Sequence, residues 1–159
     1  MKTNFEKIRE FHRATGLPDY NNGEYPNFLD DEKLCNFRLS LIVEEVNELR
    51  EALKEKNKKE VIDALSDILY VVYGAGSSMG VDLDNAFDCV HKSNMSKLCK
   101  TEEEAKRSVE WYKMTKADRY SSPCYRNITM GEKKWWIVYN EETGKILKSI
   151  EWKEPEFNL

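Results

Sequence analysis

Glu44, Glu45 and Glu48 lie in the run LIVEEVNELREAL, and Glu60, Asp63 and Asp67 lie in the run KEVIDALSDILYVV. Both runs otherwise have the character of buried helix. An ionised carboxylate in apolar surroundings costs on the order of several kcal/mol unless it is paired or bound to a cation. Acids repeated in this setting therefore point to a cation site.

Helical phase sharpens the reading. At roughly 100° per residue, Leu34, Phe37, Leu41, Ile42, Val46 and Leu49 fall in one broad arc. Glu45 lies inside that arc, between Leu41 and Leu49, and Glu48 lies between Phe37 and Leu41. A solvated face would set its acids opposite the apolar stripe. Glu45 and Glu48 are at i,i+3 and Glu44 and Glu48 at i,i+4, so the three can converge. In the second run, apolar residues from Val61 to Met79 spread around most of the circumference, while Glu60, Asp63 and Asp67 share a sector about 60° wide. Gly74 and Ser78 continue that sector and leave room beside it. The expectation is two helices packed on nearly every side, with their acids meeting in a dry interior. The ordinary alternative is a set of buried acids paired with Arg or Lys from other helices. These two helices carry no matching basic stripe.

Capping and turn signals give the secondary structure that holds these acids. A first helix over Thr3 to Thr15 ends at Gly16 and Pro18, and a loop rich in Asn, Pro, Gly and Tyr continues to Phe28. Asp30 or Asp31 caps a second helix running to about Lys56. The polar link Lys56 to Lys59 is short enough to make helices two and three antiparallel neighbours. The third helix ends near Ser78 to Gly80, and Asp82 caps a fourth over Leu83 to Leu98. Thr101 with Glu104 forms a capping box for a fifth helix to about Lys116. Trp135 to Tyr139 and Lys145 to Trp152 are β-rich runs flanking the turn signal Asn140 to Gly144. The fold class expected is all-α: an antiparallel bundle of about five helices with a small C-terminal β-hairpin. One domain spans 1–159, with a helical core at about 3–116 and the hairpin and tail at about 133–159. So much apolar circumference cannot be covered by one small bundle, which predicts a bundle shared in a homodimer.

Bulk properties narrow the function. With 159 residues and a net charge of −4, the chain is long enough for a proper core and lacks a basic nucleic-acid footprint. The opening MKTNFEKIREFHR is charged and amphipathic, with no secretory or lipidation pattern, and Asp63 and Asp67 interrupt the most apolar window. Cys35, Cys89, Cys99 and Cys124 show no metal-ligand spacing. Reduced cysteines suit a cytoplasmic setting, without membrane or DNA/RNA partners. On the fourth helix Leu83, Phe87, Val90 and Leu98 define the apolar stripe, yet His91 and Asn94 fall within it and Lys97 borders it. Asn94 and Lys97 are donors at i,i+3, suited to phosphate oxygens or a base edge. A hydrogen-bonded core Asn beside an exposed Lys fits the same spacing.

Together these segments resemble the all-α nucleoside triphosphate pyrophosphohydrolase superfamily, whose EExxE and ExxD motifs correspond to Glu44-Glu45-x-x-Glu48 and Glu60-x-x-Asp63. An alternative register makes Asp67 the ligand of the second helix. The chain is most similar to the MazG-like, dimeric dUTPase-like branch. Its REFHxxxGLP opening matches Arg9 to Pro18, its DALxDxLYVVYG helix Asp63 to Gly74, and its HxSNMxKL motif His91 to Leu98. A KGPxYxPP-type tail resembles Lys148 to Pro155, with Ser, Ile and Trp substituted. The segment from about Cys99 to Tyr139 has no transferable site.

The resemblance implies a hydrolase acting on phosphoric anhydrides, with a house-cleaning role in nucleotide metabolism. It would cleave a (d)NTP such as dUTP between the α and β phosphates, giving monophosphate and pyrophosphate with Mg²⁺, or Mn²⁺ as substitute. On this reading Glu45, Glu48, Glu60 and Asp63, or Asp67, are metal ligands. Glu44 orients or deprotonates the attacking water, and His91, Asn94 and Lys97 contact substrate. Lys148 and Trp152, on the terminal hairpin and tail, close over it. The rivals are a phosphoribosyl-ATP pyrophosphohydrolase on the same scaffold and a non-catalytic nucleotide-binding module. A ferritin-like di-iron protein would need Glu-x-x-His on two helices, and the two histidines offer only Asp88-x-x-His91.

Overall fold

The computed structural model describes residues 1–157. Helix α1 (Asn4–Thr15) begins at a full capping box: the Thr3 hydroxyl accepts from Glu6 N–H at 3.1 Å, and the Glu6 carboxylate accepts from Thr3 N–H at 2.7 Å. It ends at Gly16 in the left-handed region. One 3-10 turn, Phe28–Asp30, leads into α2 (Glu32–Glu55), whose N-cap is Asp31, accepting from Leu34 N–H at 2.9 Å. Lys56 closes α2 with φ of 56°, and Asn57 caps α3 (Lys58–Met79), so the chain reverses over two residues. Helices α4 (Leu83–Met95) and α5 (Glu102–Thr115) precede an antiparallel pair, β1 (Pro123–Met130) and β2 (Lys133–Asn140).

The chain divides into two compact units, Met1–Ala86 and the part from Phe87 onward, the division falling within α4. In the first unit α1 and α2 both pack on α3. Its interior is built from Phe5, Ile8, Ala52, Ala64 and the small residues Gly74, Gly76, Ser77 and Ser78. In the second, α5 lies on the hairpin around Cys99, Ala105, Val109, Tyr112, Val138 and Leu147.

Five helices with a small two-stranded sheet agree with the expected fold class. Three details differ. Helix α4 stops at Met95, one turn short of Leu98, because the chain then turns to place Cys99 in a two-way bridge with Trp136. Thr101 caps α5 as expected, but the Glu104 carboxylate bonds Lys100 N–H and the Ser149 hydroxyl, so the box is not reciprocal. The hairpin is made by 123–130 and 133–140, with its turn at Gly131, rather than by the runs flanking 140–144. The turn read at 140–144 does form: Gly144 N–H donates to Asn140 O at 2.8 Å. The chain beyond that turn pairs with β2 at one bridge, Tyr139 with Ile146, where Leu147 N–H donates to Val138 O at 2.8 Å, and is then drawn onto α5. Lys148 N–H donates to the Tyr112 hydroxyl and Ile150 N–H to the Ser108 hydroxyl, both at 3.0 Å. With these two donors satisfied by side chains, the pairing with β2 goes no further than Leu147.

Candidate functional site

The acids sit where the α2–α3 hairpin sets two helical sectors side by side. Glu44, Glu45 and Glu48 come from the C-terminal half of α2, and Glu60, Asp63 and Asp67 from the N-terminal half of α3. Glu45 is the centre of the group. It is half-buried, and its Oε2 is fully enclosed without a hydrogen-bond donor. Burial first, and then the charges of Glu48, Asp67, Glu44 and Asp63, push its carboxyl above the usual carboxylate range. Glu60 is not among the groups that bear most on it. It stands exposed in the first turn of α3, its N–H bonded to the Asn57 side chain.

The dry interior expected for these acids is not what one chain provides. Glu44, Glu48, Glu60 and Asp63 are exposed, and only Glu45 and Asp67 are half-buried. The reason is the uncovered apolar surface around them: Leu39, Leu53, Ile62 and Leu69 each keep more than half their side chain exposed. Among the described residues, no ion pair and no hydrogen bond reaches the carboxylate of any of the six acids. No three of His, Cys, Asp and Glu among those residues stand in a metal-ligating arrangement either. The chemistry of the group still fits a divalent cation. It offers oxygen donors only, one of them buried and orphaned, with no cationic side chain beside it.

The other sequence candidates lie in the second unit. His91 and Asn94 are exposed on α4, not buried in its stripe, because Phe87 and Val90 of that stripe are themselves exposed. Asn94 and Lys97 do come together: Lys97 Nζ donates to Asn94 Oδ1 at 2.7 Å. Lys148 and Trp152 also meet, with Lys148 Nζ 3.1 Å from the Trp152 ring centroid. Both come after the hairpin rather than belonging to it.

Two groups in the first unit escaped the sequence reading. Asp19 accepts from Arg9 Nε at 2.7 Å, Arg13 Nε at 2.6 Å and the Ser77 hydroxyl at 2.8 Å. Beside it, His12 is buried with Nδ1 2.7 Å from Pro18 O, and since a carbonyl can only accept, Nδ1 carries the proton. Burial, with Arg38 nearby, lowers the His12 pKa against the raising effect of that hydrogen bond. Arg38 is itself 4% exposed, and its Nε and Nη2, the paired donors of one guanidinium edge, have no acceptor. Gly74 makes this approach possible: a Cβ there would lie 3.1 Å from His12 Nε2. Arg38 precedes Glu45 by two helical turns on one face of α2. That phase was the available signal.

No helix among the described residues is long and apolar enough to cross a membrane. An uncharacterized protein, L479, of Acanthamoeba polyphaga mimivirus is 28% identical, with the match covering 98% of this chain and 94% of that protein. The family model for phosphoribosyl-ATP pyrophosphohydrolase matches residues 8–94, which include all six acids and Asn94. That match spans more than half of the chain, and the chain belongs to this family of nucleotide pyrophosphohydrolases.

Proposed function

We propose that the protein is a Mg²⁺-dependent nucleoside triphosphate pyrophosphohydrolase that converts a pyrimidine (d)NTP of the dUTP type to monophosphate and pyrophosphate. The observation that carries this reading is the Glu45 carboxylate, its Oε2 enclosed without a donor and its pKa raised by burial and by four neighbouring acids. A side chain so placed is stabilised by a multivalent cation. Glu45, Glu48, Asp63 and Asp67 would hold it, with Glu60 as an outer ligand. Bound there, Mg²⁺ supplies charge neutralisation for the phosphates and an acidified water. Glu44 would orient the attacking water and take up its proton as the water oxygen bonds to phosphorus and the α–β bridging bond breaks. His91, Asn94 and Lys97 contact the phosphates or sugar, and Lys148 and Trp152 cover the nucleotide.

The active form in this reading is a homodimer in the cytoplasm. Support comes from Leu39, Val43, Ile62, Leu65 and Leu69, large apolar side chains left exposed on α2 and α3. Contiguous apolar surface of this kind marks association sites. Sedimentation at micromolar concentration is expected to give twice the 18.7 kDa chain mass. A monomer would overturn the assembly.

The family description favours a second reading, hydrolysis of phosphoribosyl-ATP by the same acids. One screen separates the two. Purified protein with Mg²⁺ is offered dUTP, dCTP, the four standard ribonucleoside triphosphates and phosphoribosyl-ATP, and products are resolved by chromatography. Pyrophosphate with dUMP or dCMP is the expected result. Turnover of phosphoribosyl-ATP alone establishes the second reading. Mg²⁺ binding with no product from any substrate means a nucleotide-binding module without turnover.

A further inference from the structure

The second unit sets further cations, Lys116, Arg119 and Lys145, beside the Lys97 and Lys148 that the hydrolytic reading uses. A cleft of about 360 Å³ is bordered by Lys97, Lys116, Arg119, Lys145 and Lys148, and no carboxylate lines it. Among the described residues none of the five is in an ion pair. In a chain of net charge −4 this is a local inversion of sign. The C-terminal end of α5, capped by Lys116, favours a cation or two through its dipole. Lys145 and Lys148 come from a different segment, so the dipole does not explain their convergence. Like charges held together repel, and a polyanion in the cleft removes that cost.

The frame of the cleft is fixed. Arg119 and Tyr120 N–H both donate to Lys116 O, at 3.0 and 2.9 Å, which closes the turn after α5. The opposite wall is held by buried Leu147 and by the bond from Lys148 N–H to the Tyr112 hydroxyl. Arg119 and Lys145 lie 5.4 and 5.5 Å from the centroid of the Tyr120 ring, which sets both cations at one lip. Trp111, Tyr112 and Lys148 also border a second cavity of about 760 Å³, whose other lining is Met114, Ile150 and Trp152 with Arg107, Glu110 and Ser149. A cationic compartment thus adjoins one of mixed lining that holds two tryptophans, with an exposed Trp111 ring between them.

We infer that this cleft of the second unit binds a nucleoside polyphosphate without a divalent ion, its phosphates among Lys116, Arg119, Lys145 and Lys148 and its base against Trp111. Lysine and arginine heads match phosphate oxygens, aromatic faces match bases of any sequence, and the volumes suit a small ligand. The basic residues are confined to one short cleft, which favours a mononucleotide over a polynucleotide strand needing an extended stripe. Residues 8–94, which match the family, do not include it.

The test is equilibrium dialysis of the whole protein in EDTA with inorganic pyrophosphate, UTP or a short oligothymidylate. Both pyrophosphate and UTP should bind the wild type and Glu48→Gln equally. Reversing charge in Arg119→Glu with Lys145→Glu should weaken both by at least roughly tenfold. Trp111→Ala should weaken UTP while sparing pyrophosphate. If circular dichroism shows the charge-reversed variant unfolded, Arg119→Gln with Lys145→Gln takes its place with the same expected direction. Absence of binding in EDTA, or affinities unmoved by the charge variants, overturns the site. Tighter binding of the oligothymidylate than of UTP, or equal loss of both ligands in Trp111→Ala, overturns the mononucleotide assignment. EDTA removes the divalent ions on which the hydrolytic reading depends, so failure of that reading leaves this binding intact.

Discussion

Two carboxylates of the first unit, Asp19 and Glu45, are each drawn out of water, and the fold treats them in opposite ways. The Asp19 side chain is 8% exposed, and two guanidinium groups and a hydroxyl point at it. Burial pushes its carboxyl up, but the hydrogen bonds from Arg9, Arg13 and Ser77 outweigh that and bring it down to about 2. Glu45 receives no donor; burial and then Glu48, Asp67, Glu44 and Asp63 all push it up. This chain can therefore satisfy a buried acid when the acid has a structural task. At Glu45 it adds more negative charge instead. The contrast is the physical ground for taking the second group as a cation site rather than an unfinished ion-pair network.

The largest expected effect is on turnover. Glu48→Gln should lower Mg²⁺-dependent pyrophosphate release by more than roughly a hundredfold, since even outer-shell changes at metal sites cost 10–100-fold. The helical circular dichroism should be unchanged, because Glu48 is exposed and makes no hydrogen bond among the described residues. Near-normal turnover in the variant would remove Glu48 from the site.

Asp19→Asn should do the reverse: leave the acid cluster alone and weaken the fold. The folded carboxyl lies at about 2 against an ordinary 3.8, which corresponds to about 2 kcal/mol of stability. For an acid whose folded pKa is depressed, that contribution is complete above the ordinary value and is lost as pH falls through the folded one. Urea unfolding at pH 7 should therefore show the variant less stable by about 2 kcal/mol. The gap should shrink below pH 3.8 and close near pH 2. A constant gap across that range would mean that packing, not the charge, is what Asp19 supplies.

The two carboxylates also differ in how far the sequence discloses them. Glu45 and its neighbours were legible because their information is local: helical phase within α2, and a two-residue link that folds α3 back along it. The caps at Asp31 and Asp82 were legible for the same reason. Asp19 was not, since its partners are scattered over Arg9, Arg13 and Ser77, and only the tertiary fold makes Ser77 a neighbour. The misplaced hairpin has a similar origin. Residues 145–152 have strand character and begin to pair with β2 at Ile146, but the hydroxyls of Tyr112 and Ser108, on another element, take the Lys148 and Ile150 donors that a longer strand would use. The expected dry interior is not formed by one chain, for a different reason. Helical phase shows which face is apolar, not whether one chain covers it, and Ile62, Leu65 and Leu69 remain exposed here.

The smallest effect is the most discriminating, because its sign changes with conditions. The folded Glu45 carboxyl lies above its ordinary 4.5 through burial and four like charges. A raised acid destabilises the fold as pH climbs from the ordinary value through the folded one, and contributes nothing below. In EDTA at pH 7, Glu45→Gln should therefore melt at a slightly higher temperature than wild type, with the difference absent below pH 4.5. Saturating Mg²⁺ should invert the order. A ligand held only by the folded state stabilises by about 2.7 kcal/mol at a hundred times its Kd, and the variant has lost a charged donor for it. Calorimetry with and without the ion reads both signs on the same pair of proteins. A variant less stable than wild type in EDTA would make Glu45 an acid of the Asp19 kind, satisfied from within the chain. The case for a cation between α2 and α3 would then lose its footing.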